Sequence, residues 1–171
     1  ACQACPAGSY CLARSATPIP CPPGSVASVS GLGACVACVA GEFQSSSSAT
    51  ACEACDAGGW CGPGASATTL CDAGKHRNST GGAFEADCVD CGAGYACGKG
   101  AANKTACEPG SASDDGITCD GCAAGEFQGS AARSACAMCP AGSYCLARST
   151  EPIECAPGSF AGDSGQSACV G

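Results

Sequence analysis

Large apolar side chains are sparse in this sequence, and they follow neither a helical period nor a long strand alternation. They recur two residues after a glycine that ends the motif Cys-x2-Gly. This glycine is found at Gly8, Gly24, Gly41, Gly74, Gly110, Gly125, Gly142 and Gly158. The following aromatic positions are Tyr10, Phe43, Phe127, Tyr144 and Phe160, with Trp60 in the same register after Cys55. Because glycine and proline interrupt every longer window, we expect tight turns, strands of two to four residues and no helix.

The 21 cysteines among 171 residues form a repeating pattern. A long unit has the spacing Cys-x2-Cys-x5-Cys-x9-Cys, and a short unit has only Cys-x2-Cys followed by thirteen residues. The order is long (1–34), short (35–51), long (52–87), long (88–118), short (119–135) and long (136–171), the last including the start of a further unit. Such internal periodicity predicts an array in which each unit contacts mainly its neighbours.

The composition predicts a disulfide scaffold. Cysteine exceeds the roughly 8–10% that is typical of such chains, whereas Ile, Leu, Val, Phe, Met, Trp and Tyr together number only 22. So few large apolar groups cannot form an ordinary core, and without cross-links the composition is that of a disordered chain. The fold class we expect is therefore small disulfide-rich repeats in an elongated rod of stapled loops, with short β-hairpins and almost no helix.

The short units constrain the disulfide pairing. If their Cys-x2-Cys is not itself a bridge, the first cysteine pairs upstream and the second pairs downstream. Applied along the chain, this rule gives Cys5–Cys11, Cys21–Cys35, Cys38–Cys52, Cys55–Cys61, Cys71–Cys88, Cys91–Cys97, Cys107–Cys119, Cys122–Cys136, Cys139–Cys145 and Cys155–Cys169. Crossed pairing inside the long units, such as Cys5–Cys21 with Cys11–Cys35, has the same parity and stays open. Cys2 is left unpaired, or bonds to an upstream cysteine or to a neighbouring chain.

The disulfides and the net charge indicate a cellular location and exclude some classes of function. Stable disulfides indicate an oxidising, extracellular or cell-surface location. Asn78-Ser79-Thr80 and Asn103-Lys104-Thr105 are N-glycosylation sequons in a secreted chain. A net charge of −8, with only seven Lys and Arg residues and no basic stretch, argues against nucleic-acid binding. No apolar run approaches the ~20 residues of a membrane-spanning helix, so we expect no membrane insertion in this segment.

The sequence CPAGSYCLARSATPIPCPPGS, followed by CxxCxxGEF, resembles the ephrin-receptor-like cysteine-rich repeat over essentially the whole chain. Single loops such as CVAGEFQSSSSATAC are similar to the first loop of tumour-necrosis-factor-receptor modules, which are small EGF-like cysteine-rich structures. The resemblance implies an extracellular, rod-like array. Tandem copies of this family occur in surface glycoproteins of protists and algae, including components of flagellar hairs. The mixture of short and long units, and the long segment 72–87, depart from an even array.

Candidate sites are mostly sites of modification. Exposed polar or proline-containing stretches suit O-glycans, and the candidate residues are Ser45, Ser46, Ser47, Ser48, Thr50, Thr17, Pro18, Pro20, Pro22 and Pro23. Cys35-x2-Cys38-x13-Cys52-x2-Cys55 has zinc-site spacing, but this spacing also follows from the disulfide pattern, which we prefer. The aspartates at 87, 90, 114 and 115 lack the spacing of a calcium loop. We therefore expect no metal and no cofactor other than covalent glycans.

No catalytic constellation surrounds His76, the only histidine, so we expect no enzyme. We favour an extracellular structural glycoprotein that forms or decorates a filament or surface coat, with copies of itself or neighbouring repeats as partners. The alternative is a receptor or adhesin ectodomain, or a stalk, that binds a protein ligand through Trp60 or the Lys75-His76-Arg77 cluster. Arg14 and Arg148 occupy equivalent places in two copies of CLAR, which indicates a structural or inter-unit contact.

Overall fold

The computed structural model describes residues 5–15 and 17–171, and within them the chain is a series of two-stranded antiparallel hairpins. The strands are β1 (Ser9–Tyr10), β2 (Ile19–Pro20), β3 (Ser25–Val26), β4 (Val36–Ala37), β5 (Glu42–Phe43), β6 (Glu53–Ala54), β7 (Gly59–Trp60), β8 (Thr69–Leu70), β9 (Lys75–His76), β10 (Val89–Asp90), β11 (Tyr95–Ala96), β12 (Thr105–Ala106), β13 (Ser111–Ala112), β14 (Asp120–Gly121), β15 (Glu126–Phe127), β16 (Ala137–Met138), β17 (Ser143–Tyr144) and β18 (Ile153–Glu154). Each odd-numbered strand pairs with the next even-numbered one. A final hairpin is closed by the antiparallel bridge between Phe160 and Val170.

The predicted fold class is confirmed in its disulfides, its short hairpins and its near absence of helix. The expectation of no helix at all was wrong in one place. A single 3₁₀ turn at Glu85–Asp87 lies in the long segment 72–87. The carboxylate of Asp87 accepts hydrogen bonds from the amides of Ala83 and Phe84 at 2.7 and 3.1 Å, which explains why a turn forms just there.

The structural repeat is the single hairpin loop, a finer period than the sequence units. We number the loops from each opening cysteine: loop 1 (5–20), loop 2 (21–37), loop 3 (38–54), loop 4 (55–70), loop 5 (71–90), loop 6 (91–106), loop 7 (107–121), loop 8 (122–138), loop 9 (139–154) and loop 10 (155–171). The contacts divide the chain into two compact units. Unit 1 comprises Ala1–Asp72, His76–Val89 and Lys99–Asn103, and unit 2 comprises Ala73–Lys75, Asp90–Gly98 and Lys104–Gly171.

Within each unit, successive loops are joined by backbone hydrogen bonds. The turn glycine of one loop donates its N–H to the carbonyl of the residue three places after the turn glycine of the next loop, at 2.7–2.9 Å. Examples are Gly24 to Gln44 in unit 1 and Gly125 to Cys145 in unit 2. The residue that accepts this bond donates its own N–H to a carbonyl of the following loop, as Gln44 donates to the carbonyl of Ala65. We call this series of bonds the backbone ladder.

Each loop also makes a second turn, and in loops 2 to 6 and 8 to 10 this turn adds another bond to the ladder. The N–H of the second-turn residue donates to the carbonyl of the opening cysteine of the preceding loop, at 2.7–2.9 Å. The second-turn residue is often glycine, but Arg14, Ser48, Ala132 and Arg148 occupy this place with φ between 57° and 68°. Because the bonds involve only backbone atoms, the side chain at this position can vary.

Loops two places apart approach each other through their backbones. A Cβ atom at Gly24 of loop 2 would overlap the carbonyl oxygen of Gly64, the second-turn residue of loop 4. A Cβ atom at Gly41 would lie 2.8 Å from the carbonyl oxygen of Gly81, and one at Gly110 would lie 2.5 Å from the carbonyl oxygen of Arg148. The turn glycine is therefore required by close packing as well as by its positive φ.

The loops are closed by two kinds of disulfide. In the short closure, with a sequence separation of 6, the opening cysteine bonds to the residue three places after the turn glycine; these bonds are Cys5–Cys11, Cys55–Cys61, Cys91–Cys97 and Cys139–Cys145. In the long closure it bonds to the residue just before the return strand; these bonds are Cys21–Cys35, Cys38–Cys52, Cys71–Cys88, Cys107–Cys119, Cys122–Cys136 and Cys155–Cys169. The structure thus has the sequential pairing, with Cα–Cα distances of 5.4–6.3 Å. Cys2 lies outside the described residues.

The buried positions are mainly these cysteines and the residues three places after the turn glycines, which we call the ladder residues. Cys21, Cys55, Cys107, Cys139 and Cys145 are fully enclosed, whereas the aromatic rings after the turn glycines are mostly half-buried. The interior of each unit is thus made mainly of sulfur and backbone atoms. Stability accordingly depends on hydrogen bonding and cross-links more than on apolar burial.

We expect Gly24→Ala to destabilise the protein more than Gly31→Ala. Both glycines have left-handed φ, +83° and +85°, so each substitution carries the conformational cost of about 1–2 kcal/mol. Only Gly24 faces a neighbouring backbone, and Gly31 has open space around its Cα. Overpacking should therefore add about 1–3 kcal/mol at Gly24. Guanidinium unfolding of the oxidised protein, followed by the fluorescence of Trp60, measures the difference. Equal losses for both variants would contradict the close-packing role.

Candidate functional site

The first predicted modification site, Asn78, lies exposed on loop 5. It borders a cleft of about 360 Å³ whose walls include His76, Arg77, Asp87 and Val89. The guanidinium of Arg77 donates a hydrogen bond from Nη1 to the carbonyl oxygen of Ser79, the middle residue of the sequon. The cleft leaves room for an attached sugar beside the asparagine, and polar side chains line most of it.

The second sequon, at Asn103, lies on loop 6 and is also exposed. Lys104, its middle residue, places its Nζ 4.0 Å from the centroid of the Tyr95 ring, within the range of a cation–π contact. Thr105 begins the return strand β12 and pairs with Ala96. The sequon thus adjoins a strand of fixed geometry, with its asparagine on the solvent side.

All ten O-glycosylation candidates are exposed. The serine-rich stretch of loop 3 is held by Gln44, which donates from Nε2 to the carbonyl of Ala51 at 2.8 Å and accepts from the amide of Ser46 at 2.9 Å. Gln128 makes the same pair of bonds in loop 8, to Ala135 and Ser130. The serines therefore lie on an ordered outer rim.

The acidic candidates serve as hydrogen-bond acceptors or solvated charges. The backbone amides of Ala83 and Phe84 hold the pKa of Asp87 below its ordinary value of 3.8. The amide of Ile117, with Thr118 and the hydroxyl of Ser113, does the same for the pKa of Asp115. Asp90 is 83% exposed and its carboxylate lies 3.9 Å from the ammonium group of Lys75. An exposed pair of this kind contributes little to stability.

The remaining candidates lie on loop 4 and loop 5. Trp60, Lys75, His76 and Arg77 are each half-buried. A ring nitrogen of His76, Nδ1, lies 3.1 Å from the carbonyl oxygen of Val89 and is within hydrogen-bond distance of it. The cysteines with zinc-like spacing are bonded in three different disulfides, so their sulfurs are not thiolate ligands.

Several large apolar side chains lie on the surface. Val39, Phe84, Met138 and Phe160 are about 60% exposed or more, at 63, 62, 62 and 60%. Phe160 differs from the other residues at its register, since the rings of Phe43 and Phe127 are half-buried.

Two turn glycines escaped the sequence reasoning. Gly58 and Gly94 occupy the same place as the others, and their Cys-x2-Gly motifs, Cys55-Asp-Ala-Gly58 and Cys91-Gly-Ala-Gly94, contain the signal that identifies them. The second-turn residues were also missed. They carry no common side chain, so composition gives no signal for them.

Comparison with protein-family models and with curated proteins finds no match for this chain. The structure itself shows the class, which is tandem cysteine-rich hairpin repeats. Ten disulfides in a chain of this size are typical of secreted or extracellular proteins. Among the residues that the structure describes, no helix is long and apolar enough to cross a bilayer.

We expect both sequons to be glycosylated when the chain is secreted from a eukaryotic host, because both asparagines are exposed. Intact mass before and after enzymatic removal of N-glycans should show two occupied sites. Thr80→Ala and Thr105→Ala should each remove one glycan and leave the asparagine in place. A mass without any glycan on the unsubstituted chain would contradict the expectation.

Protonation of Asp87 should loosen its turn in acid. Because its pKa is lowered in the folded state, the stabilisation is present above about pH 3.8 and is lost as the pH falls through the folded-state value. An NMR titration of the Asp87 carboxyl should give a midpoint below 3.8. The amide shifts of Ala83 and Phe84 should follow the same midpoint. Asp87→Asn should shift these amides at neutral pH, whereas Glu85→Gln, on the same turn, should leave them unchanged.

Proposed function

We propose that this chain is a structural glycoprotein of the extracellular space, whose array of stapled loops forms or decorates a filament or surface coat. The observation that carries the proposal is the backbone ladder, in which every loop presents to the next the same groups that it receives from the loop before. An architecture of this kind extends by repetition. The finer resemblance to ephrin-receptor-like repeats agrees with it.

Further support comes from the chemistry of the surface. The exposed sequons and the serine-rich rim suit a sugar-coated exterior, and the disulfides suit a place where reductants are scarce. We propose that the chain acts without catalysis and without a cofactor other than covalent glycans. Its described cysteines are joined in disulfides, so these thiols are not available as nucleophiles.

Electron microscopy of the native material, kept unreduced and averaged along any fibres, tests the proposal. Uniform fibres with an axial repeat, and extra density at Asn78 and Asn103, are the expected result. Isolated flexible particles, or this segment attached to a larger membrane-anchored particle, would overturn it and favour the receptor or stalk.

A further inference from the structure

Loop 5 has the longest disulfide closure, and the cleft beside Asn78 belongs to this loop. The Cys71–Cys88 bond has a sequence separation of 17, whereas the other long closures have separations of 12 or 14. The residues just before Cys88 form the 3₁₀ turn Glu85–Asp87. This turn, the segment 76–79 and Val89 supply the walls of the cleft, and all of them lie in unit 1.

The glycosylation site is itself a wall of this cleft. Asn78 and Ser79 both line it, and both are exposed. The first sugar of a glycan on Asn78 Nδ2 therefore starts at the edge of the cleft. Because the sugar is held there covalently, its effective concentration is high, and weak contacts are enough to keep it in the cleft.

One wall offers hydrogen-bond donors in a fixed place. The backbone of Arg77 belongs to the ladder, where it accepts from Gly58 at 2.8 Å and donates to Ala101 at 3.1 Å. Its guanidinium donates from Nη1 to the carbonyl oxygen of Ser79. A Cβ atom at Gly82 would lie 2.8 Å from Arg77 Nε, so the side chain also packs on this glycine. A guanidinium has several further N–H donors, and these can bond the oxygens of a sugar.

Another wall offers an acceptor. Asp87 accepts the amides of Ala83 and Phe84 through Oδ2, at 2.7 and 3.1 Å. These amides and, more weakly, the charge of Arg77 lower the pKa of Asp87, so it is ionised at neutral pH. An ionised carboxylate accepts through both of its oxygens, and Oδ1 can therefore receive a sugar hydroxyl. Donors and an acceptor in one cleft suit a ligand rich in hydroxyl groups.

The cleft also has an apolar part. The side chain of Val89 is 59% exposed, and Ala86 on the 3₁₀ turn is exposed as well. The ring of His76 lies beside Val89, with Nδ1 3.1 Å from the carbonyl oxygen. The methyl group of an N-acetyl sugar can cover these side chains, which removes apolar surface from water. The volume of about 360 Å³ is at the lower end of the range of about 300–1,000 Å³ for small-ligand clefts, which suits a single sugar.

We propose that this cleft binds the first N-acetylglucosamine of a glycan attached to Asn78, so that the sugar becomes a fixed part of loop 5. Arg77 donates to its oxygens, Asp87 accepts from a hydroxyl, and the acetyl methyl covers Val89. A fixed first sugar gives the rest of the glycan a defined direction away from the surface. The proposal deepens the function proposed above, an extracellular glycoprotein with a sugar-coated exterior, and rests on it.

Enzymatic release of the glycans tests the docking. A peptide N-glycosidase cuts the bond between the asparagine and the first sugar, so a docked sugar has to leave the cleft before it is cut. In the secreted, oxidised protein we expect release at Asn78 to be about tenfold slower than at Asn103, because it requires local opening. After reduction and denaturation the two rates should be equal. Equal rates in the folded protein would overturn the proposal, and so would an Asn78 that carries no glycan.

A matched pair of variants assigns the protection to the cleft. Ala86→Leu places a larger side chain in the cleft and should speed release at Asn78 about threefold or more, while release at Asn103 stays the same. Glu85→Leu introduces the same side chain at the neighbouring position of the turn, outside the cleft, and should leave both rates unchanged. Equal effects of the two variants would overturn the assignment, as would an Ala86→Leu variant without faster release.

NMR of the protein trimmed to one N-acetylglucosamine at each site locates the sugar directly. We expect nuclear Overhauser effects between the acetyl methyl group at Asn78 and the methyl groups of Val89 and Ala86. Their absence would overturn the contact. A mobile first sugar on protein that forms regular fibres would remove the docking alone, whereas the absence of fibres would remove the structural function, so the two failures are distinguishable.

Discussion

The structure depends on the residue three places after each turn glycine. Its carbonyl accepts from the loop before and its amide donates to the loop after, so it joins three successive loops. Where apolar residues are this scarce, burial cannot supply the cohesion that a larger core provides. The disulfides hold each loop in the one shape that presents these backbone groups correctly, and the ladder then fixes neighbouring loops within each unit.

The two disulfide closures hold the same kind of hairpin loop through different partners of the opening cysteine. The opening cysteine can bond to the central ladder residue or to the residue before the return strand. When the ladder residue is not cysteine, as with Ala27 or Gln44, the second cysteine stands before the return strand. When the ladder residue is Cys61, that later position is Thr68, whose Oγ1 lies 3.8 Å from the sulfur of Cys61. Long and short sequence units are therefore different orders of the same two loops.

The cysteine spacing and the backbone hydrogen bonds differ in how far the sequence predicts them. Cysteine spacing is a covalent constraint, so parity reduced the pairing to a sequential and a crossed pattern, and the Cys-x2-Gly motif located most of the tight turns. The choice between the two pairings came only from the structure. The ladder could not be foreseen, because it consists of backbone bonds. The second-turn residue varies from Gly64 to Ser48 and Arg148 without changing those bonds, and so leaves no compositional trace. The 3₁₀ turn at Glu85–Asp87 depends on one carboxylate meeting two amides across a few residues, which no periodic pattern signals.

The backbone ladder does not determine which loop lies beside which. Since every loop offers the same donors and acceptors, the hydrogen bonds alone cannot distinguish one neighbour from another. Within the chain, connectivity decides which loop follows which. Any preference of one loop for another has to come from side chains that face each other at fixed positions of the repeat, such as the second-turn residue and the residue before the opening cysteine. Most of these positions within the chain hold small or uncharged residues, such as Gly64 over Ala37. Arg148 holds such a place over Gly121, where a Cβ atom would lie 2.7 Å from the arginine Nε and 2.8 Å from its Cγ. The two facing positions therefore have to be matched in size, and this matching can favour one neighbouring loop over another.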